Sequence, residues 1–360
     1  MGRDLKVLHL PTSVGQNAWH LAQGEKALGA DSKVLVYESS FLDYSSDIQM
    51  NLQANSTAAG KLARLARTFM AIRGKYDIFH FNFGTSLMTS RSRNVHHLDL
   101  PFYPDKAKLF VSYNGCDARQ KYPTIARGGT SACGECQYEP CKSGKLDQSR
   151  AEGIRKMSRY VEHMWALNPD LMHFLPPDKA SFLPYAIDMP NHDPRWPSTQ
   201  GPLKIVHAPT NREIKGTHYL LEAVERLNAA RPGSIQLTLV EGMSNEQALH
   251  VYRDADLVVD QLLIGWYGGF AVEAMLLGKP VLVRIAEDVL KFIPYEMKRD
   301  LAESVINASS NNLYQTLMEC LDNRAPLLRV AHAGYEYARK WHSPKYVASL
   351  TLSRYSVALS

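Results

Sequence analysis

The stretch IGWYGGFAVEAMLLGKPV, residues 264 to 281, is almost wholly apolar, yet it holds one carboxylate, Glu273, shortly after two adjacent glycines, Gly268 and Gly269. It follows a strand-like run, DLVVDQ (256–261), and leads into another, PVLVRI (280–285). Strand, glycine turn, helix and strand in succession mark a parallel α/β sheet. The stretch is not a membrane span. Gly265, Gly268, Gly269, Glu273, Gly278, Lys279 and Pro280 interrupt it, and charge at a bilayer centre is costly. A helix is expected to start near Phe270. Its first amides lack intrahelical acceptors, and with the helix dipole they favour an anion. Gly268 and Gly269 allow a phosphate to approach the backbone closely. Glu273 is then expected within the first turn or so, where a carboxylate can accept from two ribose hydroxyls. The alternative is that Glu273 only complements the helix N-terminus.

Two neighbouring segments favour the ligand. HAPTNREIKGT (207–217) lies after a strand KIVHAP and before a helix THYLLEAVERLNAA. It puts Arg212 and Lys215 at a strand end, with Gly216 allowing a tight turn; Arg can fork onto two phosphate oxygens and Lys supplies a mobile point charge. A solvated basic turn is the alternative. LVEGMS (239–244) ends a third strand in Glu241-Gly242. Three polar, glycine-bearing strand ends in one domain argue a nucleoside-diphosphate pocket.

The rest of the chain repeats the alternation. LKVLHL (5–10), KVLVY (33–37), DIFHF (77–81) and KLFVSY (108–113) read as buried strands, with helices over 18–29 and 57–73. A helix around 149–163 and strands near WALN and SFLP follow. Residues 188–202, with Pro190, Pro194, Pro197 and Pro202, read as a linker with almost nothing to pack. The 360 residues exceed one ordinary core, and a 45% hydrophobic, 21% charged composition is that of a globular protein. The expected fold is α/β, two doubly wound Rossmann-like domains facing across a cleft. Their bounds are 1–190, including a Cys-rich loop 114–148, and 191–338, with a C-terminal helix 339–360 crossing back. The net charge of +5 is modest and scattered, and no aromatic-basic motif appears, so nucleic acid is not an expected partner. MGRDLKVLHLPTS goes straight into a strand rather than a secretory leader, so a cytoplasmic protein is expected.

The order HAP-x-N-R-x-x-KGT, VEG, DLVVDQ and G-x-Y-G-x-x-A-x-EAM-x-x-GKPV resembles the C-terminal half of retaining GT-B-fold glycosyltransferases of the family-4 type. The match is good over about 204–284. It implies a nucleotide-diphosphate sugar donor in the second domain and a saccharide or lipid-linked acceptor in the first, with no cofactor needed for catalysis. Glu273 would hold the ribose, and Arg212 and Lys215 would neutralise the leaving diphosphate. Glu241, Gly242, Tyr267, Gly268, Gly269, Phe270 and Ala271 would bind the donor. In the first domain the resemblance is looser. It points to Gly15 and Asn17 in SVGQN, His80 and Asn82 in FHFNFG, and Asn114, Asp117 and Arg119 in YNGCDAR. For His80 the alternative is a core histidine. Two departures stand out: Asn114 replaces a His, and Gly265 replaces a first Glu eight residues before Glu273. A same-fold epimerase or hydrolase, or a binding protein that has lost catalysis, are the rival readings.

Cys116, Cys133, Cys136 and Cys141 fall in the long loop. Their thiolates suit a structural zinc; non-binding thiols, a disulfide or an iron–sulfur site are the alternatives. The basic helix TAAGKLARLARTFMAIRGKY can lie on an anionic membrane surface or simply cover the sheet.

Overall fold

The computed structural model describes residues 4–38, 44–52, 57–90, 94–189 and 192–360; Pro190 and the 190/191 boundary lie outside them. The chain forms two compact units. One comprises 1–120, 143–187 and 343–360, the other 121–142 and 188–342.

In the first unit the described strands are β1 (Lys6–Leu10), β2 (Asp31–Val36), β3 (Ile48–Gln49), β4 (Ile78–Phe81), β5 (Lys108–Tyr113), β6 (His163–Ala166) and β7 (Ala180–Phe182). They pair in parallel in the order β3-β2-β1-β4-β5-β6-β7. Chain order reverses at β1/β4, the switch point where such sheets take ligands. Buried apolar clusters cover both faces, which is why the central strands read as continuous apolar runs.

The second unit's sheet runs β12-β11-β10-β8-β9, again parallel. Its strands are β8 (Leu203–His207), β9 (Ile235–Leu239), β10 (Leu257–Val259), β11 (Val281–Val283) and β12 (Ile306–Asn307). Its switch point is β8/β10. The fold is therefore the expected one in each half: two parallel α/β Rossmann-like units.

Several boundaries differ from expectation. The helix placed near 149–163 spans Lys145–Ser158, because 163–166 are taken into β6, with His163 opposite Phe110 of β5. Residues 339–360, expected as one helix, are divided between two. Ala325–Trp341 belongs to the second unit and Pro344–Leu359 to the first. Ser343 caps the new helix through its side chain and Pro344 sits in its first turn, a start signal that breaks the run. The last helix packs on Asn17–Ala27 so closely that a Cβ at Gly24 would lie 2.1 Å from the Pro344 carbonyl oxygen. Beneath it, the buried Glu25 carboxylate accepts from Ser32 Oγ (2.7 Å) and Thr351 Oγ1 (2.9 Å) and meets His9 Nε2 at 2.8 Å.

The proline-rich linker also packs, contrary to its composition. Arg195 N donates to Leu277 O (2.9 Å), Ser198 N donates to Asp256 Oδ1 (2.8 Å), and the Trp196 ring lies 3.8 Å from that of His332. The Cys-rich loop divides differently too: 121–142 clusters with the second unit. Short helices Lys121–Ala126, Ala132–Glu135 and Glu139–Lys142 dock there. Ala132 N donates to Leu263 O (3.1 Å), Gln137 N to Glu213 Oε2 (3.1 Å) and Tyr219 OH to Glu135 Oε1 (2.7 Å).

Candidate functional site

The site is built at the carboxyl edge of the second sheet, where β8 and β10 part. After β8, Asn211 caps a single helical turn, Arg212–Lys215, its side chain accepting from Ile214 N at 3.0 Å. Gly216, in the left-handed region at φ +75°, turns the chain into the next helix, Thr217–Ala230. His207, buried, fixes this corner: its ring contacts Val259 O at 2.7 Å and Thr217 Oγ1 at 2.8 Å. Burial holds its pKa below the ordinary value.

Lys215 points to the end of β10. Its ammonium donates to Asp260 Oδ1 (2.7 Å) and Gln261 Oε1 (2.8 Å). Asp260 is buried, and its other oxygen accepts from Gly268 N at 2.7 Å. One carboxylate thus ties the cation to the glycine turn. Arg212 forks onto Glu241, with Nε 2.8 Å from Oε1. This contact raises the Arg212 pKa and lowers that of Glu241. Both groups are largely exposed, so the pair is a weak one.

The glycine turn leads into the helix Gly269–Leu276, one residue before the expected start. Three of the residues expected at the donor, Gly268, Ala271 and Tyr267, are engaged within the protein here. The Gly268 amide is committed to Asp260, and the Ala271 amide donates to Gly268 O at 3.1 Å. Gly269 and Phe270 are therefore the amides at this helix end without a hydrogen-bond acceptor among the described residues. Tyr267 is buried, its hydroxyl bonded to Tyr337 OH (2.7 Å) and His342 Nε2 (2.9 Å), so its side chain pins the core. Glu273 is the fifth helical residue, and the first turn carries no acid. It is half-buried and too far along for the short-ranged dipole effect, which weakens the capping alternative.

Gly265 explains the missing first Glu. Its φ is +85°, and a Cβ there would lie 2.8 Å from Ala286 Cβ and 3.2 Å from an Arg284 guanidinium nitrogen. Gly265→Glu is expected to destabilise the protein by about 1–3 kcal/mol through backbone strain and overpacking. The check is a lower denaturant midpoint at unchanged slope. An unchanged midpoint would mean the turn re-forms without strain.

In the first unit, Gly15 (φ +58°) has nothing within 4 Å of where a Cβ would sit, which leaves room for close approach. Asn17 is buried and its Oδ1 accepts from Ala186 N at 2.8 Å. Asn82, at the end of β4, donates to His80 O at 3.2 Å. His80 itself is the core histidine. It is buried between Tyr355 OH (2.6 Å) and Ser112 Oγ (2.6 Å), and burial drives its pKa well down. Asp117 accepts from the amides of Asn114 (3.0 Å) and Gly115, closing that turn, while Arg119 forks onto buried Asp170 at 2.6 and 3.0 Å.

The four loop cysteines divide between the two units. Cys116 belongs to the first unit and the other three to the second, and no group of three or more metal-ligating side chains is found among the described residues. The Cys133–Cys136 turn is held by Lys121, whose ammonium donates to Cys136 O (3.0 Å) and to Cys133 O.

Asp260 and Gln261, the partners of Lys215, were hidden in sequence. Their signal was polar residues closing the apolar run DLVVDQ.

No family model matches the sequence, and no curated protein matches it. Solved structures do. A sucrose-phosphate synthase from Thermosynechococcus elongatus aligns over 99% of this chain and 100% of its own at 15% identity, with a TM-score of 0.65. An alpha-glucosyltransferase in complex with UDP and a 13-mer DNA aligns over 98% and 100% at 9% identity, TM-score 0.64. A UDP-GlcNAc 2-epimerase from Neisseria meningitidis, bound to UDP-GlcNAc, aligns over 97% and 98% at 12% identity, TM-score 0.50. Likeness at these identities establishes the GT-B fold.

Proposed function

We propose that the chain is a glycosyltransferase that takes a sugar from a nucleotide-diphosphate sugar and passes it, with retention, to a saccharide or lipid-linked acceptor. The observation that carries this reading is the meeting of Lys215 and the Gly268-Gly269 helix start at the β8/β10 switch point. The solved structures that bind UDP or a UDP-sugar on this fold support it. The donor is held by the second unit and the acceptor by the first. The acceptor hydroxyl attacks the anomeric carbon from the face that the diphosphate leaves. The carbon–phosphate-oxygen bond breaks, and the acceptor proton passes to the departing phosphate. Arg212, Lys215 and the Gly269 and Phe270 amides stabilise the charge that develops there, which is where preorganised donors accelerate most. Glu273 holds the ribose.

Product analysis of purified protein with labelled donor, with and without a sugar acceptor, tests the reading. Acceptor-dependent transfer supports it. Donor epimerised or hydrolysed at full rate without acceptor favours the rival enzymes of this fold, and tight binding without turnover favours the lapsed one.

A lipid-linked acceptor has its own support. No described helix is long and apolar enough to cross a membrane. The helix Ala58–Ile72, however, buries Phe69 and Ile72 while leaving Leu62 61% and Met70 64% exposed. Lys61, Arg64, Arg67 and the following Arg73 accompany them without an acidic residue in the helix. Such a face suits an anionic surface. The protein is expected to float with vesicles containing phosphatidylglycerol and to stay behind with neutral ones, and the Leu62→Glu/Met70→Glu variant is expected to stay behind with both. Equal recovery of both proteins, or no flotation, would remove the membrane contact.

A further inference from the structure

The two cations of the proposed donor site have counter-ions of opposite character. Arg212 and Glu241 are 55% and 37% exposed; Lys215 and Asp260 are 12% and 0%. Glu241 stands at the end of β9, just before Gly242, which has φ +68° and no atom within 4 Å of where a Cβ would sit. That strand end has space to move. Among the described residues the carboxylate bonds to Arg212 alone. Asp260 is fixed on two sides, by Lys215 and by the Gly268 amide, and it cannot leave without opening the glycine turn.

A diphosphate offers several oxygens and at least two charges, and it is a stronger bidentate partner for a guanidinium than one carboxylate. The solvated Arg212–Glu241 pair holds little that must be given up. The buried pair is different, because breaking it strands a charge inside the protein.

We infer that Glu241 is an internal competitor for the donor. It occupies the Arg212 fork in the empty site and yields it to the diphosphate, whereas Asp260 keeps Lys215 and acts as a positioning residue throughout. The inference rests on the glycosyltransferase reading of this site. It reverses the expected part of Glu241, which becomes a residue the donor displaces rather than one it contacts. It also assigns opposite consequences to the removal of two carboxylates of equal charge.

The test is isothermal calorimetry with UDP and, separately, with inorganic pyrophosphate, which needs no particular base. Glu241→Gln is expected to tighten both by about three- to tenfold, the scale of an exposed ion pair plus one repelling charge removed. In an Arg212→Met background the same change is expected to move affinity by less than about twofold, since no fork remains to be contested. Asp260→Asn is expected to weaken binding although it too removes a negative charge.

Weaker or unchanged binding by Glu241→Gln would overturn the inference while leaving a working nucleotide site. Equal tightening in the Arg212→Met background would reduce the effect to through-space repulsion. Tightening by both single variants would show that charge alone matters and that Asp260 positions nothing. Wild-type protein that takes up neither UDP nor pyrophosphate would sink the reading of the site itself, and the exchange with it. Circular dichroism on each variant verifies that it is folded, and the Glu241 and Arg212 changes are at exposed positions.

Discussion

Lys215→Ala is expected to lower turnover on saturating donor at least ~100-fold, the scale of losing one preorganised donor to a developing anion. Two of the ammonium's three hydrogens are committed to Asp260 and Gln261. The third is available to the leaving diphosphate, beside the Gly269 and Phe270 amides. The substitution also has a structural consequence. Asp260 is fully buried, and without its partner it becomes an uncompensated charge, at a cost of about 3–5 kcal/mol. Loss of activity and loss of fold must therefore be separated. Lys215→Met/Asp260→Asn removes both charges with little change in volume. It is expected to recover much of the stability and none of the turnover. A double variant that regains near-normal kcat would show that Lys215 only balances Asp260 and takes no part in the chemistry.

The second large effect is expected at Glu273. Glu273→Gln should weaken nucleoside-diphosphate binding by about 10- to 100-fold, the range for hydrogen bonds to a charged group. The carboxylate sits in the second turn of its helix, where the N-terminal partial charge has largely faded. A ribose partner has a sharper consequence. Wild-type protein should prefer a ribonucleotide over its 2′-deoxy analogue, and Glu273→Gln should bind the two alike. A variant that binds as well as wild type, with the preference intact, would return Glu273 to a structural part.

The fold was legible because parallel strands covered on both faces must be apolar throughout, and glycine-marked helices must separate them. VLHL, IFHF, KIVHA and DLVV could hardly have been anything else. The switch points followed from that alternation. The donor edge was half legible. Arg212, Lys215 and the paired glycines carry their chemistry in their own residue types. Their counter-ions do not: Lys215 and Asp260 are 45 residues apart, and only the parallel pairing of β8 with β10 brings them together. The burial of Tyr267 was hidden for the same reason. The residue lies beside Gly268 in sequence, but its partners, Tyr337 and His342, come from the far end of the unit. The cysteine loop was not legible as a segment divided between the units. A C-x2-C turn suits a metal locally, yet Cys116 stays with the first unit while 121–142 docks on the second. Lys121, adjacent in neither pattern nor charge, is what closes the turn. The 188–202 segment looked unable to pack because its prolines hide one aromatic, Trp196, that stacks on His332.

The β8/β10 edge is expected to bind a nucleoside diphosphate. Thermal unfolding of the purified chain against UDP, GDP, ADP, CDP and dTDP tests it most directly. A ligand at ~100 times its Kd should add about 2.7 kcal/mol. One base is expected to stabilise the chain clearly and to lose that effect in Glu273→Ala. No shift with any of the five, or a shift that persists undiminished in Glu273→Ala, would contradict it.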